Sequence, residues 1–385
     1  MHEDAWQHIN NCLHCKNPQC VKGCPVKFDI PSFLQQAKQG DFDAAVQTVG
    51  HLFGEVCGYI CPKQAQCRGN CILSKKGKGV DVGLVEILAF GKVKIQIERC
   101  DDALSHLNIA VVGGGVSGIT FAQQCYMHGA KVTVYERHRL LHTLRSIPTI
   151  RLPSQAVDRV EKEVLQSGIH VVQCNVDGEM LQSLQKQYDV VYLATGATVA
   201  GRLYAENDFL AVTADEFLRG NFCGKAIIVG GGNTAMDCAR LHARRGYPTV
   251  VAYRRTLQDM PAFPSEIAAA QGENVQFVFN VAPVSVQKQA NGLYVTFAKT
   301  LSQGRGQLVL TEERMSINCD VVVSAAGRKF DSLLLDGAKR AEVDVDNCVQ
   351  GNLFAGGDAT GKELAAQAVA DAINAANGVL KKYKR

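Results

Sequence analysis

Eight of the chain's fifteen cysteines fall between Cys12 and Cys71. The first four stand in CLHCKNPQCVKGCP as Cys12-x2-Cys15-x4-Cys20-x3-Cys24, with Pro25 directly after. The second four stand in CGYICPKQAQCRGNC as Cys57-x3-Cys61, followed by Pro62, then Cys67-x3-Cys71. Thiolates packed this densely are soft metal ligands. Structural zinc modules usually need two CxxC-type pairs separated by a loop, and only one CxxC occurs here. The other seven cysteines, at 100, 125, 174, 223, 238, 319 and 348, are scattered without pairing and read as reduced core thiols.

Close cysteines ending in one before a proline resemble the bacterial ferredoxin signature, although the middle gap is four residues rather than two. Eight thiolates would hold two [4Fe–4S] clusters, and on the residues alone Cys57 is one of the ligands. A zinc-stapled, non-catalytic binding module is the alternative.

Two glycine fingerprints follow. NIAVVGGGVSGIT leads on to KVTVYER, and KAIIVGGGNTAMD leads on to TVVAYRR, each copy reading as strand, glycine turn, helix and strand. In the first copy Gly113, Gly115 and Gly118, with Val116 and Ser117 between them, form a pyrophosphate cradle at a helix N-terminus. Glu136 closes the second strand, where a carboxylate accepts hydrogen bonds from ribose hydroxyls. In the second copy Gly230, Gly232, Asn233, Thr234 and Ala235 repeat the turn, and Arg254 stands in register with Glu136. Arg254 and Arg255 suit the 2′-phosphate of NADPH, which a carboxylate there would repel. Nicotinamide gives up electrons as a hydride and clusters carry them singly; a flavin can do both, so these sites together read as an electron conduit. No Ser/His/Asp, zinc-water or paired-carboxylate arrangement is visible for a further substrate, and no catalytic side chain is assigned.

These residues need elements to hold them. Residues 1–105 read as an α-helical iron–sulfur domain. PSFLQQAKQG and DFDAAVQTVG form two short helices, started by Pro31 at a first turn and an Asp cap, that fold the second cysteine group back on the first. A third helix is expected across VDVGLVEILAFGKVKIQIER. From residue 107, β-branched runs alternate with helical stretches, the sign of a parallel sheet. The expected order is FAD-binding 106–220, an inserted NADPH-binding domain 221–320, and the second FAD part 321–385. A formal charge of +4, spread along the chain, speaks against nucleic acid, and no apolar run reaches the length of a membrane span. The polar MHEDAWQHINN start lacks a signal peptide's apolar core, so a cytoplasmic protein is expected.

With clusters, FAD site and NADPH site in this order, the chain resembles the glutamate synthase small-subunit family, whose module also forms the N-terminal part of dihydropyrimidine dehydrogenase. The likeness rests on CxxCxxxxCxxxCP, CGYICPKQAQCRGNC, VVGGGVSG, IPTIRLP, VGGGNTAMD, YRR and AGGDATG. It implies an α/β two-dinucleotide-binding flavoprotein behind the helical domain. Cys12, Cys15, Cys20 and Cys71 would hold one cluster, and Cys24, Cys61 and Cys67 the other. The fourth ligand of the second cluster is implied to be Glu86, which leaves Cys57 spare. Arg151 is implied to contact flavin; Gly357 and Asp358 of AGGDATG belong to the second flavin motif, while YLATGA and SAAGR mark where the chain leaves and re-enters the FAD domain. Gly327 in SAAGR faces the NADPH site. Relatives work with a catalytic partner subunit or an electron-acceptor protein. One departure stands out: RHRLLHTLRSIP is about two residues shorter than its counterpart and lacks a Gly-Gly pair, so its side chains are expected to approach the FAD. A stand-alone reductase of the thioredoxin reductase type is the rival enzyme, and the missing redox CxxC in the NADPH domain counts against it.

Overall fold

A computed structural model describes residues 2–302, 307–335 and 339–385. The chain divides into two compact units, one of Met1–Arg145, Thr149–Ala197 and Phe330–Arg385, the other of Ser146–Pro148 and Thr198–Lys329.

The first unit opens with short helices. Asp29 caps Ile30–Lys38 through the Ser32 amide at 3.2 Å, and Asp41 caps Phe42–Val49 through the Ala44 amide at 3.0 Å. The second of these helices ends on Gly50 in the left-handed conformation at φ 76°. The third expected helix is real but shorter, Val82–Lys92. Beyond Lys92 the sequence VKIQI alternates β-branched and polar residues, a pattern that suits extended chain rather than a helical face. Ile9, Phe33, Leu34, Val85 and Phe90 form the shared core of these helices.

Two helices in this region meet at a glycine crossing. Gly58 on Gly54–Ile60 faces Gly83 on Val82–Lys92; a Cβ on Gly58 would lie 2.5 Å from the Gly83 carbonyl oxygen, and one on Gly83 would lie 2.8 Å from that of Gly58. Only paired glycines allow this approach. It brings the cysteines of the first helix beside Glu86 on the second.

Behind the helices lies a sheet built from β1 (Asn108–Val112), β2 (Lys131–Glu136), β3 (His170–Gln173) and β4 (Val190–Leu193), completed by the C-terminal β15 (Cys348–Gln350) and β16 (Leu353–Ala355). Its order is β15-β16-β4-β1-β2-β3, parallel except for the β15–β16 pair. The helices Val116–Met127 and Ala365–Tyr383 pack together on it, and the buried Tyr192 ring stacks on Phe121 at 3.9 Å.

The second unit holds β5 (Val199–Ala200), β6 (Val212–Thr213), β7 (Ala226–Val229), β8 (Thr249–Tyr253), β9 (Gln276–Phe279), the antiparallel β10 (Val281–Gln289), β11 (Gly292–Ser302) and β12 (Leu308–Cys319), then β13 (Val321–Ser324) and β14 (Arg328–Lys329). Its parallel sheet has the order β6-β13-β7-β8-β9.

This division moves the expected domain limits. Residues 198–220 and 321–329, read from the sequence as parts of the FAD domain, belong to the second unit, because β6 and β13 complete its sheet. The breaks fall just after YLATGA and SAAGR, the two points at which the family likeness has the chain leave and re-enter the FAD domain. Residues 1–105, expected as a separate domain, form one compact unit with the flavin-type sheet.

Candidate iron–sulfur, flavin and nicotinamide sites

The eight clustered cysteines separate into two groups. Burial raises the thiol of Cys12, with the nearby Cys15 and Cys71 adding to it, and pushes that of Cys20 up to about 11, with Cys71 and Cys12 adding to it, so Cys12, Cys15, Cys20 and Cys71 form one neighbourhood. All four are half-buried. The second group lines one cavity with Cys24, Cys57, Cys61, Cys67 and Glu86 on its wall, closed by Val26, Phe28, His51, Lys63, Gln66, Val82 and Ala366. The two groups are joined by one helical turn, Gln19–Gly23, which separates Cys20 from Cys24.

The electrostatics of the cavity suit cation-bound thiolates. Burial pushes Cys24 up to about 11 and raises Cys67, with the neighbouring Glu86 carboxyl adding to both. Cys57 donates a hydrogen bond to Cys61, which lowers Cys61 and raises Cys57; Lys63 and the backbone N–H of Ala366 also favour the Cys61 thiolate. Burial holds Glu86 well above the usual carboxylate range, followed by the repulsion of Cys61. Buried thiols and a carboxyl that resist ionisation in isolation are the donor set that a bound cation converts to anions, replacing their protons. Each ligand of a cubane cluster binds its own iron, so such ligands surround a volume. Among the described residues no three His, Cys, Asp or Glu side chains converge as a single metal ion would require. Both Cys57 and Glu86 face the cavity, so the structure brings together both candidates for the fourth ligand. Asp81 orders this wall: it caps Val82–Lys92 through the Leu84 amide and holds Lys63 at 3.1 Å and Arg68 at 3.2 Å.

The remaining cysteines correct part of the sequence reading. Cys125, Cys238 and Cys319 are buried and Cys174 and Cys348 half-buried, whereas Cys100 and Cys223 are exposed. Each of these two lies outside the apolar stretch of an element, which is why burial does not reach it.

In the first glycine turn, a Cβ on Gly118 would lie 1.9 Å from the Gly113 carbonyl oxygen, so helix and strand approach through a position open to glycine alone. Gly115, which precedes Val116 and Ser117 at the helix start, faces open space and has no atom within 4 Å of a built Cβ, the gap a pyrophosphate would fill. Glu136 accepts the Gly114 amide at 2.7 Å and the His138 amide at 2.7 Å. An ionised carboxylate has about four lone-pair sites, so capacity remains for ribose hydroxyls. The RHRLLHTLRSIP segment packs against this turn: Leu140, Leu141 and Leu144 are buried, and the Leu141 amide donates to the Gly114 carbonyl at 2.9 Å. Arg139 and Arg145 tie it down on Glu161, and Arg145 also reaches Asp158 at 2.8 Å. Its side chains press on Gly114 and leave the space over Gly115 clear. Arg151 is half-buried in the segment that leads into Ser154–Gln166.

The second flavin motif meets the first. A Cβ on Gly357 would lie 2.9 Å from Ser117 Cβ, and Asp358 accepts the Ala197 amide at 3.2 Å. Asp371, which sequence reasoning missed, holds the motif in place by accepting the Gly357 amide at 3.0 Å and the Thr360 hydroxyl at 2.6 Å. The only sequence signal for it is one acidic residue in an alanine-rich helix. Ala366, in the first turn of that helix, borders the thiol cavity, so the flavin motif and the inner cysteine group share one helix start.

In the second unit Gly230 takes φ +154°, Ala235 is fully buried beneath the turn, and Gly232 again faces open space. Asn233 is used structurally, accepting the Phe263 amide at 2.9 Å, while Thr234 is exposed at the helix start. Arg254 is exposed and Arg255 half-buried just beyond β8. Gly327 takes φ +88° and its carbonyl accepts the Gly201 amide at 2.8 Å.

Comparison with known proteins agrees with this arrangement. Residues 107–375 match the family model described as pyridine nucleotide-disulphide oxidoreductase. The chain belongs to that family. Residues 1–96 match the model described as dihydropyrimidine dehydrogenase domain II, 4Fe-4S cluster. The glutamate synthase [NADPH] small chain of Escherichia coli is 29% identical over 98% of this chain and 91% of its own, and that of Azospirillum brasilense is 28% identical over 98% and 89%. Within its family this oxidoreductase thus groups with the glutamate synthase small subunits and is an NAD(P)H-dependent iron–sulfur flavoprotein. In fold it is similar to FprA of Mycobacterium tuberculosis solved with NADPH (17% identity, TM-score 0.57, 71% of this chain and 84% of that one). Thioredoxin reductase of Lactococcus lactis is comparable in fold at 16% identity and TM-score 0.57, covering 72% and 98%. No helix among the described residues is long and apolar enough to cross a membrane.

Proposed function

We propose that this oxidoreductase is an electron-transfer subunit that exchanges electrons between NADPH and a separate protein partner. Cys12, Cys15, Cys20 and Cys71 hold one [4Fe–4S] cluster, and Cys24, Cys61, Cys67 and Glu86 the other, with Cys57 spare. Glu86 is preferred because Cys57 is already engaged with Cys61 at the end of its own helix, whereas Glu86 comes from the opposite side of the glycine crossing. Gly113, Gly115, Gly118, Glu136, Arg151, Gly357 and Asp358 hold FAD; Gly230, Gly232, Arg254 and Arg255 hold NADPH. Bound there, the groups supply interconversion of two-electron hydride chemistry and one-electron carriage. The chain's own work is to hold them in contact, and the observation that carries this reading is the shared start of Ala365–Tyr383, where Ala366 borders the inner thiol group directly after the flavin motif.

Partners of the kind served by glutamate synthase small subunits or dihydropyrimidine dehydrogenase suit this reading equally. The relatives named NADP(+)-dependent formate dehydrogenase subunit beta, from Moorella thermoacetica, and NADPH-Fe(3+) oxidoreductase subunit beta, from Geobacter sulfurreducens, are likewise subunits. The test is steady-state NADPH oxidation by the anaerobically purified chain. It should reduce a one-electron dye such as methyl viologen or ferricyanide, and should not turn over glutamine plus 2-oxoglutarate, or uracil, by itself. Turnover of either substrate set without a partner would overturn the subunit reading.

A further inference from the structure

His51 belongs to neither ligand group nor any motif, yet it lines the inner thiol cavity and is 4% exposed. Its Nδ1 lies 3.1 Å from the backbone nitrogen of Phe53. A backbone N–H can only donate, so Nδ1 must be the acceptor and the single ring proton sits on Nε2. Among the described residues Nε2–H has no hydrogen-bond partner. The cavity wall it shares with Cys24, Cys57, Cys61, Cys67 and Glu86 is rich in acceptors. The one cationic side chain on that wall, Lys63, is held by Asp81 at 3.1 Å. The ring is buried and lines a cavity bordered by thiols, so a ligand seated there is placed to supply the acceptor that Nε2–H lacks.

We propose that His51 is a positioning residue whose Nε2–H donates to a sulfur of the iron–sulfur group held by Cys24, Cys61 and Cys67, raising the reduction potential of that group. The inference rests on the proposed assignment of this cavity as a cluster site. Hydrogen bonds to the sulfurs are among the factors that set cluster potentials, and a donor stabilises the more negative oxidation state. The imidazole is locked by Phe53, so the donor is present before any partner or nucleotide binds.

The test uses holo-protein purified anaerobically, with iron and sulfide measured first. EPR-monitored redox titrations of wild type, His51→Gln and His51→Phe should show one of two cluster potentials falling in His51→Phe by about tenfold in its reduction equilibrium, which is about 59 mV for one electron. The other potential should stay in place, and His51→Gln, which keeps an N–H donor, should restore most of the difference. Unchanged potentials in an iron-replete His51→Phe protein would overturn the proposal. If that variant loses iron, pulsed EPR decides. In ¹⁵N-histidine-labelled His14→Ala protein, which removes the histidine beside Cys15, a coupling from an imidazole nitrogen to a reduced cluster is expected, and its absence would overturn the proposal. Wild-type protein without iron would overturn the cluster reading itself, a separate failure.

Discussion

At the scale of single residues, the two glycine turns separate positions that shape the fold from positions that face a ligand. Gly118→Ala forces a Cβ into the Gly113 carbonyl and should cost about 3 kcal/mol of stability, read as a lower denaturant midpoint. Gly115→Ala meets nothing, so stability without flavin should hold while the flavin Kd rises about tenfold or more, read by flavin fluorescence. Arg254→Ala should raise KM for NADPH by at least about tenfold, since a charge-assisted hydrogen bond contributes roughly 1.5–3 kcal/mol, and leave KM for NADH unchanged. Equal effects on both nucleotides would remove the 2′-phosphate assignment. Cys57→Ala should keep its full iron content, whereas Glu86→Leu should lose about half. The proposed division of the cysteines comes from the family likeness, since spacing alone would group Cys24 with Cys12, Cys15 and Cys20. The roles of His51 and Asp371 could not be read from the sequence, because the first comes from burial against the thiol cavity and the second from hydrogen bonds to a motif 11 to 14 residues away.

At the scale of elements, helix starts were the most legible feature: Pro31 lies in the first turn of Ile30–Lys38 and Asp41 caps Phe42–Val49. The end of Val82–Lys92 was less so, because GKVKIQI carries apolar residues that fit a helix or a strand until neighbours decide. The Gly58–Gly83 crossing could not be read from sequence at all, since both glycines look like ordinary weak points inside helices. A pH effect belongs to the helix Asn233–Arg244. His242 is buried in it and bonded to the Gly224 carbonyl at 2.8 Å, and burial lowers its pKa below 6.5. Its folded-state pKa is depressed, so the unfolded chain binds the proton first and stability is lost as pH falls below about 6.5. His242→Gln should flatten that part of the stability–pH curve, measured by denaturant midpoints between about pH 7 and pH 5; an unaltered slope would show that His242 is not its source.

At the scale of the whole molecule, the helical region, expected as a domain of its own, falls in one compact unit with the flavin-type sheet. The reason lies in contacts with no local sequence signature. Glu55, 4% exposed on the helix Gly54–Ile60, is paired with Arg159 on Ser154–Gln166, and Gln123 and Gln124 on Val116–Met127 reach Leu52 and Gly50. Arg159→Met would leave a buried carboxylate unpaired and should lower stability by about 2 kcal/mol, read from the denaturant midpoint at unchanged slope. This union is what allows a thiol cavity to abut a flavin motif. The most direct test of that account is anaerobic purification of the intact chain with iron, sulfide, zinc and flavin analysis, followed by NADPH addition under EPR and absorbance detection. The account predicts about eight irons and one FAD per chain, with flavin bleaching and cluster signals on NADPH addition; a colourless, zinc-loaded protein that NADPH leaves unchanged would contradict it.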